Sequence, residues 1–193
     1  MNYGVRMRPS FRPAAVALVM VAALSVSACA PPSPAKPPKP SPSSTALFAT
    51  DEEALAAAEE AYREYLSVVD GVLQAGGSDT AGLRAVAAGA ALDQALSDAG
   101  EFASLGYRTV GTTALNAIVL QRVGVEAEDV TRVVDAYVCE DASQVDLINA
   151  EGTSLVSDSR PPLTPFQVSF GREGKRGLVL TNRSAWDGED VCV

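Results

Sequence analysis

Asp135 and Tyr137 stand two residues apart in a run rich in β-branched residues, Val130 to Cys139, that reads as a strand. Alternation along a strand puts both side chains on one face of its sheet, with Val133 close by. If that face closes over a cavity, a desolvated Asp with a raised pKa beside a tyrosine hydroxyl could serve as a general base. A solvated position is the commoner fate of a strand Asp. No histidine occurs in the 193 residues, which excludes Ser-His-Asp and Cys-His nucleophile machinery, imidazole acid–base catalysis and His-ligated zinc. A G-x-S-x-G elbow, a P-loop, a dinucleotide fingerprint and zinc spacing are absent as well, so no cofactor is expected.

The three cysteines divide by context. Val26-Ser27-Ala28-Cys29 closes a short apolar run and matches the bacterial lipobox, in which the chain is cut before the cysteine and that cysteine is acylated. With Cys29 removed from the count, Cys139 and Cys192 are left to pair in an oxidising compartment. The bridge would close a loop of about 54 residues, worth roughly 4 kcal/mol in the chain-entropy model. No Cys-x-x-Cys is present, so its expected role is structural. It would also gather Glu140, Asp141, Asp187, Glu189 and Asp190 at one end of the sheet. Such an oxygen-rich set could take a hard cation such as calcium, but no EF-hand spacing is present and a solvated acidic rim is the plainer expectation.

Ahead of the lipobox, Arg6, Arg8 and Arg12 form a basic region and Pro13 to Val26 an apolar one, the parts of a secretory leader. The apolar run is about 14 residues, against roughly 20 for a bilayer crossing. The absence of an Arg-Arg pair favours the general secretory route. A diacylglyceryl thioether supplies two acyl chains, enough for stable anchoring without a transmembrane helix. The expected organisation is therefore a signal over 1–28, the lipidated cysteine and a Pro-rich linker over 29–46, and a single domain over 47–193, held at the outer face of the cell membrane. Residues 31–45, PPSPAKPPKPSPSST, favour polyproline II and read as a spacer. The formal charge of −9 becomes −12 once Arg6, Arg8 and Arg12 leave, a balance that repels nucleic acid.

The elements that must position these residues follow from spacing. Thr50-Asp51-Glu52-Glu53 is a capping-box start, and Leu55, Ala58, Tyr62, Leu66 and Val69 recur on one helical face until Gly76-Gly77. A second helix is expected over Thr80–Ala88 and a third over Ala90–Leu105, stopped by Gly106. Strands are expected near Tyr107–Thr112, Leu115–Arg122, Val130–Cys139, Val145–Asn149, Phe166–Phe170 and Leu178–Asn182. Phe166, Val168 and Phe170 alternate with Gln167 and Ser169, the period of a half-buried antiparallel strand. Helices followed by strands argue an α+β fold, three helices packed on one face of a curved antiparallel sheet of four to six strands.

Three helices carrying an Ala-Tyr-x-x-Tyr run (Ala61, Tyr62, Tyr65), then a meander of strands, resemble the NTF2-like or cystatin-like cone domains. With the Pro-rich linker and two later cysteines, the layout is similar to lipoproteins of high-GC Gram-positive bacteria. The resemblance covers about residues 46–193 and lies in layout, not in a catalytic signature. It implies a pocket between the helices and the sheet, with Tyr62, Tyr65 and Tyr137 as candidate walls, while Trp186 is expected to cap the core. Fold alone does not choose a function for such a pocket. The favoured expectation is a membrane-anchored, extracytoplasmic, non-catalytic domain that binds a small apolar or amphipathic ligand or an envelope protein. The alternatives are a pocket hydrolase or isomerase using Asp135, and a surface interaction module with no pocket.

Overall fold

Thr50 starts the first helix as its spacing predicts. In the computed structural model, which describes residues 47–124, 132–172, 177–188 and 191–192, its hydroxyl accepts the Glu53 N–H at 3.2 Å while the Glu53 carboxylate takes the Ala49 N–H at 2.8 Å. The leader, Cys29 and the linker through residue 46 lie outside the described residues, as do Glu189 and Asp190. Helix α1, Asp51–Gln74, buries Ala54, Ala58, Tyr62, Tyr65, Leu66 and Val72 along one face. Small alanines on that face let the helix lie close to the sheet, and the two tyrosines fill the space between.

The chain then turns at Gly77, whose φ of +75° and whose close approach to the Ala99 carbonyl leave no room for a side chain. Helix α2 is a single turn, Leu83–Val86, shorter than the expected Thr80–Ala88. Gly82 gives its start no side-chain cap, and Ala87 is already extended, bridging in parallel to Leu180. Helix α3 runs Gly89–Leu105 and ends at Gly106 in the left-handed region.

All six expected strands form: β1 Arg108–Val110, β2 Ala114–Val123, β3 Val134–Asp141, β4 Asp146–Ile148, β5 Leu163–Arg172 and β6 Leu178–Ala185. They divide between two sheets. β2, β3, β5 and β6 make a four-stranded antiparallel sheet in that order, and β1 pairs with β4 alone. Gly111, at φ +88° and packed against the Gln144 carbonyl, breaks the chain direction between β1 and β2, so β1 does not extend the larger sheet. The fold is α+β, with helices packed against antiparallel sheets.

Helices α1 and α3 cover one face of the larger sheet. Val134, Ala136 and Val138 of β3, paired in register with Phe170, Val168 and Phe166 of β5, point to that face and join the α1 residues in the main core. Tyr62 meets Phe170 edge-on, with ring centroids 6.2 Å apart. Alternation sends Asp135, Tyr137 and Cys139 to the opposite face.

Candidate functional site

Two residues break the apolar character of the helix-facing side, and they answer each other. Glu140 continues the inward set of β3, and Arg183 enters from β6. The guanidinium grips the carboxylate at two points, Nε to Oε1 at 2.9 Å and Nη2 to Oε2 at 2.7 Å, and lies 3.5 Å over the Phe166 ring. This planar fork on a carboxylate is the geometry for which Arg is suited. The Tyr62 hydroxyl donates a short hydrogen bond to the same carboxylate. Burial alone would favour loss of the Arg183 proton, but the hydrogen bonds and charge of Glu140 outweigh it and hold the guanidinium charged. Burial, and then the Glu140 charge, push the Tyr62 hydroxyl well above its usual range, so it stays a donor.

Beside this cluster lies a cavity of about 190 Å³ between α1, α3 and the strands. Glu140 and Arg183 form part of its wall, together with Tyr65, Asp70, Asp98 and Thr109. Asp70 is 8% exposed and accepts both the Thr113 N–H at 2.8 Å and the Thr113 hydroxyl at 3.0 Å. Burial nevertheless raises its pKa above the ordinary value. Tyr65 is also raised, chiefly by burial. Thr109 is 8% exposed, and its hydroxyl is buried with no hydrogen-bond partner. A more open groove of about 510 Å³ runs along α1 beside the start of β2 and shares Leu66 and Asp70 with the cavity.

Of the three tyrosines expected as pocket walls, Tyr65 alone lines this cavity. Tyr62 is fully buried behind it, spent on Glu140. Tyr137 is on the wrong side of the sheet, because β3 turns its odd-numbered residues away from the helices; it packs on Trp186 with ring centroids 4.5 Å apart. Trp186 thus covers that outer face and does not cap the helix-side core.

Asp135 shares the outer face, which corrects the expectation of a raised general base in the pocket. It is 2% exposed, and burial by itself would raise its pKa. Hydrogen bonds from Ser169, Arg122 and Arg132 win, the two arginines at 2.9 Å, and hold the carboxyl below its ordinary value. A carboxylate so engaged is a poor proton acceptor.

Cys139 and Cys192 are bonded, fastening the C-terminal segment to the outer face of a central strand. Of the expected acidic set, Glu189 and Asp190 lie outside the described residues, and the other three go separate ways. Glu140, one residue on from Cys139, points through to the helix side, and Asp141 spends an oxygen on the Ser143 N–H at 2.8 Å. Asp187 is exposed. Among the described residues no group of three acidic, His or Cys side chains is placed to hold a metal ion.

The central acid of the arrangement, Glu140, is engaged by Arg183 and Tyr62. Sequence reasoning missed Arg183, because the signal lay in its inward register position after the β6 bulge.

No family model matches the chain, and no curated protein matches it. Among solved structures it is similar to the intermembrane space region of the chloroplast protein ARC6, at 23% identity and a TM-score of 0.46, over 68% of this chain and 95% of that one. It is also similar to a de novo designed β-sheet protein, at 14% identity and a TM-score of 0.31, over 69% of this chain and 93% of that one. Neither likeness bears on function.

Proposed function

We propose that this chain is an exported lipoprotein, anchored through acylated Cys29 to the outer face of the membrane, whose NTF2-like domain binds a small ligand without transforming it. The order of three helices before an antiparallel meander, with α1 lying over the larger sheet, supports the cone reading. The lipobox Val26-Ser27-Ala28-Cys29 and the Pro-rich run behind it support the anchor.

The observation that carries the binding role is the cavity of about 190 Å³, which has room for roughly six waters and meets polar groups on several elements. Convergent polar groups on an otherwise apolar wall are the usual make-up of a ligand site. The anchor and the binding role are tested separately. Feeding cells an alkyne-bearing fatty acid should label the protein, and Cys29→Ala should abolish both the label and membrane retention. Retention of the label in Cys29→Ala would overturn the anchor. Replacing Val69, on the cavity wall, with Phe should fill the space and abolish binding of any cavity ligand while leaving the domain folded by circular dichroism.

A further inference from the structure

The polar groups around the cavity are unequal in charge. Arg183 faces it, yet the Nε–Nη2 edge of its guanidinium is closed on the Glu140 carboxylate, so the pair presents little net charge. Among the described residues no such cation pairs with Asp70 on α1 or Asp98 on α3. Among the described residues Asp70 is satisfied by Thr113 alone, and a carboxylate has more lone-pair sites than those two bonds use. Asp98 accepts the Gln94 side-chain amide at 2.6 Å through Oδ1 and has a second oxygen. The Thr109 hydroxyl, nine-tenths buried, adds an oxygen that no protein group engages. The rest of the wall is aliphatic, with Leu66, Val69, Leu73 and Val145.

We propose that this cavity takes the charged head of a primary alkylammonium compound, with Asp70, Asp98 and Thr109 accepting from its three N–H groups and the aliphatic residues enclosing the carbon chain. The inference rests on the binding role proposed above and names the chemistry of its ligand. Three N–H donors on a compact cation match acceptors arriving from separate elements, whereas an anion would meet two carboxylates while the charge of Arg183 is already paired with Glu140. A bare divalent ion finds no set of three suitable side chains among the described residues. Burial holds the Asp70 pKa up, and an ammonium beside it would relieve that cost.

The experiment is a titration of the full-length, bridged chain, followed by amide NMR at Thr109 and Thr113, with n-butylammonium, n-butanol and n-butyrate in parallel. With about five heavy atoms, n-butylammonium should bind in the millimolar range. Butanol should bind at least about tenfold more weakly, the factor expected when a charge-assisted hydrogen bond is lost, and butyrate should give no saturable shift. Asp98→Asn, on the surface of α3, and Thr109→Val, near-isosteric, should each weaken n-butylammonium several-fold while leaving any butanol affinity in place. Saturable binding of butanol as tight as that of butylammonium would overturn the cationic specificity and leave the ligand-binding role standing. No saturable shift with any of the three would overturn both. If N-acetyl-lysine methylamide binds more tightly than n-butylammonium, the head group belongs to a lysine side chain; if it does not, a free amine is the ligand, and either result upholds the ammonium chemistry.

Discussion

β3 sends one buried carboxylate to each face of its sheet, and the two faces treat them in opposite ways. Glu140, on the helix side, is met by a single arginine that is itself three-quarters buried and by the hydroxyl of a fully buried tyrosine. Asp135, on the other side, is met by two arginines that are 44% and 54% exposed. In the first case both partners have left water, so neither can lose the other cheaply. In the second the cations remain hydrated, and water can take over much of what either one supplies. Burial of the acid alone is therefore a poor guide to what its ion pair contributes; the burial of its partner decides.

The sharpest way to break this comparison is Arg183→Met, which leaves Glu140 buried with only Tyr62. It should cost about 3–5 kcal/mol in urea unfolding, and a cost as small as that of an outer arginine would erase the distinction between the faces. Next in size is Cys192→Ser, which frees the tail that covers the outer face and should cost about 2–4 kcal/mol. Its effect should fall on the outer side, seen as a loss of Trp186 shielding in fluorescence quenching with the Tyr62 environment unchanged. Tyr62→Phe keeps the ring and removes one donor to Glu140, for an expected loss of about 1.5 kcal/mol in the same unfolding assay.

The outer arginines should yield the least. Arg122→Ala and Arg132→Ala should each cost no more than about 1 kcal/mol, and less in high salt. Their pair with Asp135 leaves a signature in pH. Because the folded state holds that carboxyl below its ordinary value of 3.8, the unfolded chain takes up the proton first. The stability contributed is whole above that value and is lost as pH falls through the lower folded one. The double variant Arg122→Ala, Arg132→Ala should flatten this acid limb, as measured by thermal unfolding between neutral and strongly acid pH.

The two faces also explain what was legible in the sequence. Strand β5 was read with its correct inward set because Phe166, Val168 and Phe170 alternate with polar residues. β3 gave no such signal, since it is buried on both faces, by helices on one and by the arginines, Trp186 and the disulfide on the other. Asp135 and Tyr137 were correctly placed on one side of that strand, but which side depended on contacts with α1 that no local pattern encodes. The Glu140 site joins α1, β3 and β6 across separations of 78 and 43 residues, beyond the reach of any spacing rule. The disulfide was legible for a different reason, that of parity once Cys29 was set aside. The second helix shrank to a turn because Gly82 and Gly89 flank a segment too short to gain from propagation.

The position of Cys192 has a consequence in time. Chains are made from the N-terminus, so Cys139 emerges 53 residues before its partner, and β3 can meet β2 well before β5, β6 or the tail exist. The helix-facing layer can begin to assemble early, but the outer face cannot be fastened by its bridge until Cys192 has followed. A chain folded through β6 before Cys192 has arrived would therefore carry one free thiol on the outer side of β3 and would be the species most exposed to mispairing.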